Sequence, residues 1–260
     1  MNSNYSLFEW NIHKMTNNKS VDNYVIDRIL KDSPDIIVLV EYKKDDIIEE
    51  RLSDYFYDVG IGNNGNDVLV AIKKAIVYNN TKVTFNKNFF EENLGEDQPT
   101  ILVATFITKE NKKLTVIALR YVQGGNGLLV SECLRKYLDK IQNAFICAGD
   151  FNVLECRMPL HFENYYHKCY NGGKCYNGGK DGASVVMLNN FYECVVTGYN
   201  RLDHVIHNSL IQVIELNYTW DFTSLSEVYI PYDKLDLGDI WKIPVSKPDH
   251  AILECKFKIN

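Results

Sequence analysis

No apolar run in this 260-residue chain approaches the roughly 20 residues needed to span a bilayer, and the stretch from Met1 to Trp10 has no basic segment leading into an apolar core. The sequence therefore predicts neither an export signal nor a membrane anchor. CxxC pairs are absent as well. The seven cysteines are an odd number, and Cys133, Cys147, Cys194 and Cys255 all sit in apolar stretches, which predicts reduced, buried thiols in a cytoplasmic protein. A basic excess is also missing. With 28 Lys and Arg against 34 Asp and Glu the formal net charge is −6, so any affinity for nucleic acid has to come from local patches. No Pro-, Gly- or Ser-rich linker divides the chain, which predicts one domain over residues 1–260.

What is present is apolar: 46% hydrophobic residues suffice for a substantial core without disulfides. Runs dense in β-branched residues predict strands at 35–40, 67–72, 101–108, 114–119, 144–147, 202–207, 211–218 and 251–259. Between them, residues 21–30 place Val21, Tyr24, Val25 and Ile29 on one helical face and stop before Ser33-Pro34. A second amphipathic helix is predicted at 127–141 through Leu128, Cys133, Leu134, Tyr137, Leu138 and Ile141, and a shorter one at 45–52. Helices and strands interleave, as in α/β or α+β proteins. Residues 158–182 read as an inserted Gly-rich surface loop, because Lys-Cys-Tyr-Asn-Gly-Gly occurs at 168–173 and again at 174–179. The abundance of Asn, Lys, Ile and Tyr suggests an AT-rich genome, such as that of a low-GC bacterium or its phage.

The chemistry concentrates at strand ends. In Ile146-Cys-Ala-Gly-Asp-Phe-Asn152 an apolar strand runs into Gly149 and presents Asp150 and Asn152 two residues apart, where strand alternation predicts one shared side. A carboxylate that can take a proton from water beside an amide that can hold an oxygen suits hydrolysis. Two further acids occupy similar positions: Asp203 within Arg201-Leu-Asp-His-Val-Ile206, and Asp249, followed by His250, before the last strand.

Together with Phe8-Glu-Trp-Asn-Ile12 and Val38-Leu-Val-Glu-Tyr42, these segments resemble the endonuclease/exonuclease/phosphatase superfamily, which includes DNase I-like nucleases and abasic-site endonucleases. The motifs follow the family's order across nearly the whole chain. The resemblance implies an α+β fold, a four-layer α/β/β/α sandwich of two mixed β-sheets flanked by helices, with the active site at one end. It implies that Asn11 and Glu41 hold Mg²⁺ or Mn²⁺, with Asp249 near the same metal. It further implies that Asp150 activates the attacking water and Asn152 orients it. His250 is expected beside the scissile phosphate, and Asp203 is expected to fix the tautomer of His250. Leu119-Arg-Tyr-Val122 resembles the abasic-endonuclease segment whose tyrosine contacts phosphate, which would be Tyr121, with Arg120 as an added phosphate clamp. Many relatives carry a histidine in this strand; here there is none.

The blander readings are that Asp before a strand is a turn former, that His204 packs in the core, and that Lys43-Lys44, Lys73-Lys74 and 109–113 are solvated element ends. His161, His167, Cys169 and Cys175 match no standard zinc spacing. The expected function is a metal-dependent phosphodiesterase, foremost a nuclease acting on DNA or RNA. The alternatives are a phosphatase or phosphodiesterase on a small phosphorylated molecule and a non-catalytic binding module. No membrane and no obligate protein partner are expected.

Overall fold

The computed structural model describes residues 4–12, 19–44, 46–62, 66–79, 81–87, 94–122, 124–153, 166–167, 185–189, 192–196, 203–219, 241–242 and 252–260. Strands buried on both faces read as near-continuous apolar runs, and such runs form the middle of two six-stranded sheets. In the first, β1 (Tyr5–Asn11) lies parallel to β2 (Ile36–Tyr42). Beyond β2 come β4 (Asp67–Lys73) and the edge strand β3 (Tyr55–Gly60), and on the other side of β1 lie β15 (Ile252–Ile259) and β13 (Ile211–Thr219). The second sheet runs β5 (Thr84–Asn86), β6 (Thr100–Ile107), β7 (Lys113–Arg120), β8 (Ala144–Asp150), β12 (Asp203–His207) and β9 (Tyr166–His167), with only β7 and β8 parallel. A separate three-stranded sheet consists of β10 (Val185–Asn189), β11 (Tyr192–Val196) and β14 (Trp241–Lys242).

Each large sheet contains a strand, a helix and a parallel strand in succession: β1, α1 (Lys19–Asp32) and β2 in one, β7, α3 (Gly127–Leu138) and β8 in the other. The inward faces meet in one core that includes Leu7, Val38, Val70, Leu102, Val116, Ile146 and Val205. On the outer face of the first sheet, Val25, Ile26 and Ile29 of α1 cover Phe8, Trp10, Ile37 and Leu39, joined by Ile48 of α2 (Asp46–Arg51). On the outer face of the second, Val130, Leu134 and Leu138 of α3 cover Ile117, Leu119, Phe145 and Cys147. The result is the four-layer α/β/β/α sandwich expected from the motif order. Among the described residues, no helix is long and apolar enough to cross a membrane.

Three differences from the sequence reading have local causes. Leu128, expected on the buried face of α3, is 59% exposed in the first turn, while Val130 and Ser131 take the buried positions. The strands β3 and β5 carry mixed polar and exposed residues because each pairs on one side only, so their apolar signal is weak. Helix α3 ends at Leu138 rather than 141, and Asn126 caps its start by accepting a hydrogen bond from the Leu129 N–H. The tandem-repeat segment 168–179 lies outside the described residues.

Candidate active site

The carboxyl ends of β1, β2, β7 and β8 bring polar side chains together across the two sheets. On β1 the inward phase is Tyr5, Leu7, Glu9 and Asn11, while Phe8, Trp10 and Ile12 face α1. Asn11 is fully buried, and its Nδ2 donates to Asp150 Oδ2 at 3.2 Å, from one sheet to the other.

Strict alternation along β2 would send Glu41 outward and Tyr42 inward. The register instead slips between Val40 and Tyr42, with Glu41 at φ 51. This bulge resets the phase. Tyr42 packs outward beneath the helices, and Glu41 turns toward β7 of the facing sheet. There its Oε1 accepts from Arg120 Nε at 3.0 Å and Nη2 at 2.7 Å, with both side chains 10% exposed. Arg120 Nη1 donates to the Tyr121 carbonyl at 3.3 Å. Removing one member of so buried a pair costs about 3–5 kcal/mol, because the other charge is left uncompensated.

Asp150 ends β8 on its inward face, beside Arg120 in the parallel register. The approach depends on Gly149: at φ 145, a Cβ there would collide with the carbonyl oxygen of Leu119 on β7. The chain then turns, so Asn152 reaches Asp150 through a turn and not through strand alternation. With φ 47, Asn152 donates its backbone N–H to Asp150 Oδ1 at 2.8 Å. Its Nδ2 donates to Asp150 Oδ2 at 3.2 Å and to the Tyr121 carbonyl at 2.8 Å. Asp203 opens β12 directly opposite Asp150 in the antiparallel register, so two buried carboxylates share one face.

Tyr121 enters this cluster only through its backbone. Its hydroxyl is buried under α3 within 3.2 Å of Ser131 Oγ, and burial holds the phenol far above its ordinary pKa, so it stays protonated. His204 points to the outer side of the second sheet, where Nε2 meets the Val153 carbonyl at 2.8 Å and the ring packs edge-on against Phe151. Asp249 and His250 lie outside the described residues.

One buried acid near the site is not singled out by the sequence motifs. Glu9 is a fully buried carboxylate on the same face as Asn11, flanked laterally by Val38 and Leu253; its signal was an acid within an apolar strand. Lys43 and Lys44 are exposed just beyond Glu41, so of the three basic clusters this one borders the site, whereas Lys73 and Lys113 lie at the far ends of their strands.

The donor chemistry suits a hard divalent cation: a carboxylate from Glu41 and an amide from Asn11 lie on adjacent strand ends, where Ile12 N–H bonds to the Val40 carbonyl. Among the described residues, no three His, Cys, Asp or Glu side chains form a metal-holding group. A carboxylate and an amide, both hard oxygen donors, fit Mg²⁺ or Mn²⁺ better than they fit zinc.

No family model and no curated protein matches the sequence. Solved structures do match along its whole length. Over 98% of the chain it is similar to D. rerio TDP2 complexed with single strand DNA product, at 16% identity, a TM-score of 0.62 and 99% of that chain. ANGEL2, a 2',3'-cyclic phosphatase in complex with adenosine-2',3'-vanadate, gives 12% identity and a TM-score of 0.63 over 99% of this chain and 96% of its own. An endonuclease/exonuclease/phosphatase family protein from Bacteroides thetaiotaomicron gives 14% identity and a TM-score of 0.62 over 100% and 99%. At these identities the likeness is one of fold: the chain has the endonuclease/exonuclease/phosphatase fold.

Proposed function

We propose that this chain, built on that fold, is a divalent-cation-dependent phosphoric ester hydrolase whose substrate is DNA or RNA. The observation that carries the reading is the gathering of Asn11, Glu41, Asp150, Asn152 and Asp203 at one end of the sandwich, from both sheets. A structural core has no use for so many buried or half-buried polar side chains in one place.

In the proposed mechanism Asp150 accepts the proton of the attacking water, which adds in line to phosphorus as the opposite P–O ester bond breaks; the leaving alkoxide takes a proton from solvent water, and Asp150 gives its own back to solvent. The N–H donors of Asn152 and Asn11 keep its carboxylate in one orientation. Asn11 and Glu41 would hold Mg²⁺ or Mn²⁺, with Asp249 nearby; when bound, the cation supplies charge stabilisation at the phosphoryl oxygens. His250 is proposed beside the scissile phosphate and Asp203 as the group that orients it. The assignments of Asp249 and His250 rest on sequence alone. Of the five N–H groups of Arg120, three are used in the bonds described, which leaves two for a phosphate oxygen. Tyr121 supplies a carbonyl that holds Asn152 and Arg120 in place.

Lys43 and Lys44 at the mouth favour a polyanion, as does the likeness to a structure holding a DNA product. The likeness to a protein holding an adenosine vanadate supports the second reading, a small nucleotide phosphate. A panel of supercoiled DNA, abasic duplex, single-stranded RNA, cyclic dinucleotides and sphingomyelin, each with Mg²⁺, Mn²⁺ or EDTA, separates them. Asp150→Asn, which keeps the side chain's shape and removes the base, is expected to lower kcat by about 10³-fold while the variant still folds cooperatively. Full activity in that variant, or a panel with no hydrolysis at all, overturns the proposal.

A further inference from the structure

The Glu41–Arg120 pair brings two features together. Glu41 is turned inward by a bulge whose left-handed backbone is unfavourable for a residue with a Cβ. Waiting for it on the other sheet is a guanidinium that aims two N–H groups at a single carboxylate oxygen. A fixed positive charge thus already sits against the carboxylate proposed to receive the cation, inside a site where charges are poorly screened.

Two consequences follow from elementary electrostatics. Without a cation, Arg120 is the counter-charge that makes a buried Glu41 tolerable. With one, the guanidinium repels the incoming ion and has already satisfied part of the carboxylate's charge.

We infer that Arg120 is the resident counter-ion of Glu41: a positioning residue that holds the carboxylate before a cation arrives, then competes with the cation and weakens its binding. The inference rests on the reading of Glu41 as a cation ligand and adds a control on affinity that lies in this chain's own residue 120. Cation binding and site assembly become an exchange of one positive charge for another.

The test uses the full chain freed of metal with EDTA, with Mn²⁺ alone as the probe, followed by calorimetric titration and by melting with and without the ion. Arg120→Gln is expected to bind Mn²⁺ about tenfold tighter than the parent. It is also expected to melt lower without the ion and to recover most of that loss when the ion is added. A residue with only a structural role would lower both melting curves equally and leave the dissociation constant unchanged; that result, or weaker binding, overturns the inference. Arg120→Lys keeps the charge and loses the fork, so its Mn²⁺ affinity should stay within about threefold of the parent. A tenfold change in either direction there also overturns the inference, and this reading stands even if Arg120→Gln fails to fold. Glu41→Gln is the control on the underlying assignment. If it binds Mn²⁺ as the parent does, Glu41 is not a ligand and the functional reading fails, whatever Arg120 does.

Discussion

Asn152 concentrates much of the site's geometry in one residue. Its φ of 47 lies in the left-handed region, where a Cβ costs roughly 1–2 kcal/mol, although asparagine tolerates it better than most residues. Its side chain spans Asp150 and the Tyr121 carbonyl, so backbone strain and the proposed catalytic alignment are coupled in the same place. Glycine and alanine replacements separate the two. Asn152→Gly removes the amide but relieves the backbone, and it should unfold in urea close to the parent. Asn152→Ala loses the amide and keeps the strain, and it should be about 1–2 kcal/mol less stable than the glycine variant. Both should lose about 10²-fold in hydrolysis rate, because Asp150 loses one of the three N–H donors that orient it. Equal stability of the two variants would show that the backbone here carries no strain, and retained activity would remove Asn152 from the mechanism.

At the scale of elements, the two strand–helix–strand units explain why the polar side chains of the candidate site meet: parallel pairs place their carboxyl ends side by side, and facing sheets then bring four such ends together. Most of this was legible. The apolar runs predicted eight strands, and all eight are found with ends shifted by a few residues, since buried strands need continuous Val, Ile and Leu. The inward turn of Glu41 was not legible, because Ile36-Ile-Val-Leu-Val-Glu-Tyr42 is buried throughout and shows no alternation that a bulge could interrupt. Likewise the burial of the Tyr121 hydroxyl follows from the phase of the chain after Arg120, which the order of residue types does not encode. The start of α3 illustrates the same limit. Leu128 completes an apolar stripe in sequence, yet it precedes the point where the helix reaches the sheet. Leu128→Lys should therefore shift the urea midpoint very little, whereas Leu134→Ala, within the outer core, should cost about 2–5 kcal/mol. A large loss for Leu128→Lys would mean that this leucine is covered in solution.

For the whole molecule, stability rests on burial, and burial leaves a signature in the pH dependence. Cys133, Cys147 and Cys255 are buried. Desolvation pushes the Cys147 thiol well above its ordinary value and the Cys255 thiol up to about 12; the phenols of Tyr5, Tyr55 and Tyr121 move in the same direction. The sign of the effect follows from proton counting. Below the ordinary thiol value of 9.0, native and unfolded chains hold the same protons at these groups, so their protonated burial costs nothing. Above it the unfolded chain ionises while the native chain does not, and stability falls as pH rises toward the native values. Each thiol contributes a slope of up to about 1.4 kcal/mol per pH unit in that window. Urea unfolding should therefore give similar stabilities at pH 7 and 8 and a steep decline from pH 9 to 11. The double variant Cys147→Ala/Cys255→Ala should start lower, because it leaves small cavities, but should lose stability less steeply across the same interval. If parent and variant decline in parallel, the thiols are not the groups being titrated. The tyrosines, whose ionisation can be followed separately by phenolate absorbance, would then account for the loss.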